Sequence, residues 1–196
     1  MRWKVGVFGA CVMLVALAVP AGAALPEPPG YSFQLEVGMA MRHFPWLHFH
    51  LEGTGSYEPG VSYVVRFTKV PWFIPQSRHQ CDLSMLDPLM WPSRYLYNRI
   101  GQRDGDTLFS LHAIDDPGLR EATVAVGPTG AVRWADATYS DGSRVHTELT
   151  SRSVNGYVLP ATMAATIDEP YVALSANADF KDYTFMNAGA SAGTSR

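Results

Sequence analysis

The sequence predicts a mostly β, antiparallel fold, and three observations carry that prediction. Residues 31–41 alternate strictly between apolar and polar or small side chains, which is the period of a strand with one buried face. Further strand-like runs recur at short spacing, separated by turns that contain glycine or aspartate. No long helical pattern follows residue 23. Together these features favour an antiparallel sandwich, a barrel or a strongly curved sheet.

The first strands follow one another closely. Residues 47–52 continue the alternation of residues 31–41 and predict a second strand. Residues 53–60 are rich in glycine and predict a turn segment. Residues 61–70 are rich in β-branched and aromatic side chains and predict a third strand. We therefore expect a meander of three strands joined by short loops.

Residues 71–92 break this rhythm. They contain four prolines and the apolar run LSMLDPLMW. We expect a short helix or an ordered loop that lies over one end of the sheet, because long loops inside a compact domain are often functional lids.

The meander then resumes with turn signals such as Asp104-Gly105 and Asp141-Gly142 between its strands. The later predicted strands cover residues 94–100, 107–114, 121–126, 131–139, 144–151, 157–167 and 171–186. With the strands before residue 71, the sequence predicts nine or ten strands in all.

The N-terminus has the three parts of a secretory signal peptide. Arg2 and Lys4 precede an apolar run from Val5 to Val19, and small residues end the segment at Ala23. The run is shorter than the roughly 20 residues that a membrane-spanning helix needs. We expect cleavage near Ala23, a periplasmic or secreted product and no transmembrane anchor.

The rest of the chain suits one domain. We expect a linker over residues 24–30, a single β-rich domain over 31–187 and a disordered tail over 188–196. Two of the 15 basic residues and none of the 18 acidic ones lie in residues 1–23, so the remainder has a formal net charge of −5. That charge argues against nucleic acid and against an anionic lipid surface as partners.

Candidates for chemistry are few. His48 and His50 lie two apart on one predicted strand, so both face the same side, and Glu52 could join them as a ligand for zinc or copper. The same pattern also fits plain strand surface. Cys81 lies near His79, but a reactive thiol needs a lowered pKa, and a buried free thiol is the simpler interpretation. We predict no catalytic residues, no metal ligands and no cofactor.

Apolar surface remains as the main candidate feature. Tryptophans and methionines are numerous, and methionine suits adaptable apolar binding surfaces. Core packing explains most of them, but a concavity closed by residues 71–92 could also hold an acyl chain or another apolar ligand. The residues that we expect to line such a site are Phe33, Leu35, Val37, Met39, Met41, Phe49, Val65 and Phe67.

The second half of the chain resembles a known family. The segments are Thr138–Val145 (TYSDGSRV), Asn155–Pro160 (NGYVLP) and Asp179–Phe185 (DFKDYTF), and they resemble the periplasmic outer-membrane lipoprotein-sorting, or LolA/LolB-like, group over about residues 94–187. The resemblance implies a half-open β-barrel over an apolar cavity, with helices as a lid. Together with the strand pattern it leads us to expect an antiparallel meander that forms a half-open curved sheet or incomplete barrel, with a short helix or loop as a lid. It also implies binding of lipid or lipoprotein acyl chains in the periplasm.

The sequence departs from that family at its start. The family usually opens with an amphipathic helix, whereas residues 31–41 alternate like a strand. The family motifs shape the sheet and name no ligand contact, so no individual functional residue carries over.

Three hypotheses follow. The first is an exported, non-enzymatic binding protein that holds a lipid, acyl chain or other apolar ligand in the concavity of the sheet. The second is a structural or interaction protein of the cell envelope that docks a protein partner on its sheet. The third is a metal-dependent enzyme that uses His48 and His50.

Overall fold

The structure is a computed structural model that describes residues 26–186 apart from residues 73, 75, 77, 78 and 171. The predicted signal segment 1–23 and the predicted tail 188–196 lie outside the described residues, and so does residue 187 at the end of the predicted domain.

The described residues form a mostly β structure with one large antiparallel sheet. Its strands are β1 (Tyr31–Met41), β2 (Phe44–Glu58), β3 (Ser62–Lys69), β4 (Gln80–Asp82), β5 (Tyr95–Arg103), β6 (Asp106–Ala113), β7 (Leu119–Val126), β8 (Val132–Tyr139), β9 (Arg144–Val154), β10 (Tyr157–Asp168) and β11 (Ala173–Phe185). The Asp-Gly turn predicted between β5 and β6 is present, with positive φ angles of 54° at Asp104 and 87° at Gly105.

The strand order is β4-β3-β2-β1-β11-β10-β9-β8-β7-β6-β5. Strand β1 lies inside the sheet, because it pairs with β2 on one side and with β11, the last strand, on the other. Strands β4 and β5 form the two edges, so the sheet stays open. The prediction of an antiparallel meander in a half-open sheet is confirmed.

The two edge strands are joined by residues 83–94, which we call the crossing segment. It consists of two short 3₁₀ turns, Ser84–Leu86 and Pro88–Met90, and the helix α1 (Trp91–Arg94). The Asp87 carboxylate accepts a hydrogen bond from the Leu89 N–H at 3.0 Å and so caps the second turn.

Most of the buried apolar side chains lie on one face of the sheet, which we call the inner face. They form two clusters that the crossing segment contacts on either side. The buried members of the first, along β1 to β3, β10 and β11, are Tyr31, Phe33, Leu35, Val37, Leu51, Tyr57, Tyr63, Val65, Leu83, Met90, Leu159, Ala176, Ala178 and Phe180. Those of the second, along β6 to β8, are Trp91, Leu111, Leu119, Ala122, Val124, Val132, Ala135 and Ala137.

The turn predicted over residues 53–60 is wrong over most of its length, since β2 continues to Glu58. Gly53 and Gly55 are inner-face residues of that strand rather than turn residues. A Cβ atom on Gly55 would overlap the Phe33 ring, and one on Gly53 would lie 2.9 Å from the Arg66 carbonyl oxygen. These glycines are therefore required by packing, because they make room for a large ring on the neighbouring strand.

Candidate ligand-binding face

The inner face changes character along β1. At the start of the strand Tyr31 and Phe33 are each only 2% exposed. Further along, Met39 is only partly buried against the same cluster. We call the half around Tyr31 the closed end and the half around Met39 the open end.

Aromatic rings fill the closed end. Tyr31 stacks on Tyr57 with ring centroids 4.7 Å apart, and Tyr57 meets Tyr63 edge to face at 5.3 Å. Phe33 packs against Phe180 across the β1–β11 pair at 5.4 Å. Such pairs add to the hydrophobic stabilisation of burial, so this end of the sheet is a packed core.

The crossing segment covers the closed end and brings a carboxylate with it. Asp87 is buried, and among the described residues its Oδ2 atom and the Tyr63 hydroxyl have no hydrogen-bond partner of good geometry, although the Tyr57 hydroxyl lies close to the Asp87 carboxylate. Desolvation raises the pKa of Asp87, while the Leu89 N–H and the Tyr57 hydroxyl act in the opposite direction. Burial, aided by the Asp87 charge, also raises the pKa of Tyr57 well above its ordinary value.

The open end retains apolar side chains that the fold covers only in part. We call this set the open band. Its members, none of them fully buried, are Met39, Met41, Phe49, Phe67, Met163 and Ala165. Ala165 and Met163 lie on β10 opposite Ala176 and Ala178 of β11, and Met39 pairs with Ala176 from the other side. The members therefore come from four strands, β1, β2, β3 and β10, and the buried Ala176 of β11 lies between those of β1 and β10.

The eight predicted lining residues divide between the two ends. Phe33, Leu35, Val37 and Val65 are buried within the first cluster, whereas the other four belong to the open band. All eight share the inner face. Sequence reasoning missed Met163 and Ala165, although the alternation in residues 157–167 could have assigned them to one face of a strand.

The predicted histidine pair lies on the other side of the sheet, its outer face. His48 and His50 pair with Ala40 and Gly38 of β1. His50 Nε2 lies 3.6 Å from Glu52 Oε1, while Lys69 Nζ lies 2.6 Å from Glu52 Oε2 and lowers the pKa of that carboxyl. Within the described residues no group of three His, Cys, Asp or Glu side chains is placed to hold a metal ion.

A second polar cluster on the outer face was not predicted from the sequence. His146 lies between two carboxylates, with Nδ1 2.7 Å from Asp136 Oδ1 and Nε2 3.4 Å from Glu148 Oε1. These contacts raise the pKa of His146, the hydrogen bond to Asp136 most of all. Asp136 and His146 also line an open groove of about 370 Å³. The arrangement favours a protonated, surface-held imidazole.

Cys81 and His79 are close in the sequence, but they contact different groups and so do not form a reactive thiol–imidazole pair. The Cys81 thiol contacts the Asp82 carbonyl oxygen at 3.8 Å, whereas the His79 ring contacts the Ile74 carbonyl oxygen at 3.2 Å. Cys81 is a free but exposed residue, so the prediction of a buried thiol is wrong. Desolvation by neighbouring atoms still raises the pKa of its thiol, which favours the unreactive protonated form.

The helical content of the described region is small. None of its helices has both the length and the apolar character that a bilayer crossing requires.

Comparison with known proteins gives a likeness of structure only. No family model matches the sequence, and no curated protein matches it. Among solved structures, a LolA superfamily protein from Nitrosomonas europaea aligns with a TM-score of 0.57 and 10% identity, covering 83% of this chain and 89% of that one.

Two further solved structures align comparably. A domain from Vibrio parahaemolyticus, described as an outer membrane lipoprotein-sorting protein domain, has a TM-score of 0.54 and 10% identity over 82% of this chain and 86% of its own. A DUF1329 family protein from Desulfovibrio piger has a TM-score of 0.57 and 9% identity over 84% of this chain and 88% of its own.

The class of fold is thus an open antiparallel sheet with an apolar inner face and a short covering segment. It is the fold of these LolA-superfamily and lipoprotein-sorting structures. The resemblance inferred from residues 94–187 is confirmed as a likeness of fold, and it extends over most of the chain. Identities near 10% show the fold alone.

Proposed function

We propose that this protein is an exported, periplasmic, non-enzymatic binding protein that holds a lipid, an acyl chain or another apolar ligand against the open band. The observation that carries the proposal is the uneven covering of one continuous apolar face. Along β1, β2 and β3 the crossing segment and the aromatic rings bury the side chains of the closed end, whereas Met39, Phe49 and Phe67 remain partly exposed at the other end.

The chemistry of the open band suits such a ligand. It combines three methionines, whose flexible thioether chains adapt to irregular apolar shapes, with two phenylalanines and an alanine. Exposed apolar surface that is contiguous and lies on one face marks a binding site more often than incidental surface does. The buried residues Phe33, Leu35 and Val65 supply the rigid floor from which the band extends.

The fold likeness supports this proposal in a second way. Two of the similar structures are described as a LolA superfamily protein and an outer membrane lipoprotein-sorting domain. A binding role for the inner face of this sheet fits those descriptions, and so does a signal peptide over residues 1–23.

A direct test is a titration of the purified protein with a fluorescent fatty acid, together with native mass spectrometry after gentle extraction. We expect saturable binding and a lipid-sized mass on the extracted protein. The Met39→Gln variant should weaken binding about tenfold, because a polar amide replaces an apolar contact.

The matched control is Met186→Gln. Met186 is 52% exposed, and its N–H donates to the Gly30 carbonyl oxygen beside the closed end, far along β1 from Met39. Binding by this control should equal that of the unmodified protein. A protein that carries no ligand and binds no fatty acid would contradict the proposal, and so would equal losses in both variants.

The edge strand β5 favours a second candidate function, an envelope protein that docks a protein partner. Its outward backbone groups face no strand in the described structure, and Leu96 and Ile100 are 65% and 55% exposed. Unpaired strand edges can add a strand from another chain.

Pull-down from an envelope extract separates the two functions. A partner captured by the unmodified protein, lost on Leu96→Lys but retained by Phe49→Asp, favours docking at the edge. Both variants should first give the circular dichroism of the unmodified protein, since a misfolded sheet would lose a partner for another reason.

A further inference from the structure

The apolar inner face does not stop at the open band. Met41 pairs with Phe44 across the β1–β2 hairpin, so these two side chains continue the inner face past Met39. Phe44 is 45% exposed and Trp46 is 71% exposed, which extends the rise in exposure that begins at the closed end. We call residues 41–47 the hairpin tip.

An irregularity in the hairpin displays these side chains. The register jumps from Ala40 opposite His48 to Met41 opposite Phe44, so residues 45–47 of β2 are extra residues without partners in the β1 ladder. Such bulges re-aim side chains. The Phe44 and Trp46 rings meet edge to face with centroids 5.3 Å apart, so the two exposed rings pack on one another.

The hairpin also extends past its other neighbour. The β2–β3 pairing ends at Glu52 opposite Lys69, so residues 44–51 continue beyond β3, a length of about 25 Å for eight residues of extended chain. Trp72 follows β3 toward the same end of the sheet and is 95% exposed. Two tryptophans and a phenylalanine are therefore displayed at the open end.

Residues 40–51 contain no carboxylate. The tip's arginine, Arg42, forms an ion pair with Asp168 at 2.7 Å, so the tip is close to neutral around its aromatic rings. A neutral, aromatic and protruding surface has the chemistry of the side chains that enter the headgroup region of a bilayer, where tryptophan is enriched.

We propose that the hairpin tip docks the protein on a lipid bilayer, with Trp46 and Phe44 inserted among the headgroups. The proposal rests on the proposed function, because docking there would join the open band directly to the source of an apolar ligand. An acyl chain could then move between bilayer and protein along a continuous apolar face, from the tip past Met41 to Met39.

The attraction is apolar rather than electrostatic. The chain without residues 1–23 has a formal net charge of −5, which opposes binding to anionic surfaces. The bilayer probe is therefore a vesicle of zwitterionic phosphatidylethanolamine and phosphatidylcholine. Partitioning should change little between low and high salt, because screening acts on charges and not on buried apolar area.

The experiment is co-sedimentation of the processed protein with these vesicles, comparing Trp46→Ser with Val61→Ser. Val61 is 59% exposed in the turn between β2 and β3, at the opposite end of the hairpin, and so provides a matched control. Trp46→Ser should lower the partition coefficient about tenfold, whereas Val61→Ser should leave it unchanged. Trp46→Phe should keep most of the partitioning.

The proposal is overturned if the unmodified protein does not partition into the vesicles, or if the two serine variants partition equally. It is also overturned if Trp46→Ser binds vesicles as well as the unmodified protein does but no longer captures a protein partner from envelope extracts. Fatty-acid titration of the same variants separates this proposal from the function. Trp46→Ser should bind the fatty acid normally in solution. If the unmodified protein partitions through Trp46 but binds no fatty acid, the proposed function fails and the docking surface stands.

Discussion

The closed and open ends of the inner face are built on the same strands but differ in what covers them. Around Phe33 the neighbouring strand carries glycine, and the crossing segment adds Met90 from above, so the aromatic rings are buried. Around Met39 the neighbours are Phe49 and Ala176, and side chains remain partly exposed. The difference shows that the same strands bury their apolar side chains at one end and leave them partly exposed at the other, where the proposed ligand site lies.

The sharpest contrast in stability is between Phe33→Ala and Phe49→Ala. Removing the fully buried Phe33 ring should lower the free energy of unfolding by about 3–5 kcal/mol, because it leaves a cavity between rings that pack on several sides. Phe49 is only partly buried, so its loss should cost less than half as much. Urea denaturation of both variants measures the difference, and equal losses would remove the distinction between the ends.

A second contrast uses two glycines on neighbouring strands. Gly55→Ala should destabilise the protein by about 1–3 kcal/mol, because its Cβ atom would overlap the Phe33 ring and force a shift in the closed end. Gly38→Ala should be close to neutral, since nothing lies within 4 Å of its added Cβ atom. Thermal unfolding of the pair measures this, and a neutral Gly55→Ala would show that the closed end is loosely packed.

A smaller effect is expected at the carboxylate that the crossing segment buries. Desolvation raises the pKa of Asp87 in the folded protein above that of an unfolded aspartate, about 3.9. Below that pH the side chain is protonated in both states, and its contribution to stability is fully present. The contribution is lost as the pH rises through the raised pKa of the folded protein, because the buried carboxyl then ionises. Asp87→Asn carries no charge and its oxygen can still accept from Leu89. It should therefore stabilise the protein by about 1 kcal/mol at neutral pH and not at all in acid.

The control for this change is Asp116→Asn. Asp116 accepts a hydrogen bond from the Gly118 N–H at 2.8 Å but is exposed, so it shares the backbone contact without the burial. Denaturation at a series of pH values should show the neutral-pH gain for Asp87→Asn alone. A variant that loses stability at neutral pH would mean that the charged form of Asp87 is preferred in the fold.

The sequence predicted the strands well where alternation was complete. Residues 31–41 alternate without interruption, and β1 has these bounds. It failed at Gly53 and Gly55, because a glycine that makes room for a ring on another strand has the same local signature as a turn glycine. The ring that explains Gly55 is that of Phe33, about 20 residues earlier in the chain, whereas Gly53 is crowded by Arg66 and Phe67 on the next strand.

Only the part of the candidate site on β1, β2 and β3 was predictable from the sequence. The alternation of β1 and β2 placed Met39 and Phe49 on one face, but the pairing of β1 with β11 is a contact between the beginning and end of the domain that no local pattern encodes. Met163 joins the open band only through that pairing. The bulge that displays Trp46 was likewise invisible, since it depends on the register between two strands.

The methionines give the most direct test of the proposed ligand site, because they lie at both ends of the inner face. Met39 and Met163 belong to the open band, whereas Met90 is buried in the crossing segment. In a protein with carbon-13-labelled methionine methyl groups, titration with an unlabelled fatty acid should shift the NMR signals of Met39 and Met163 and leave that of Met90 in place. A shift at Met90, with Met39 and Met163 unchanged, would contradict the proposal that the ligand lies on the open band.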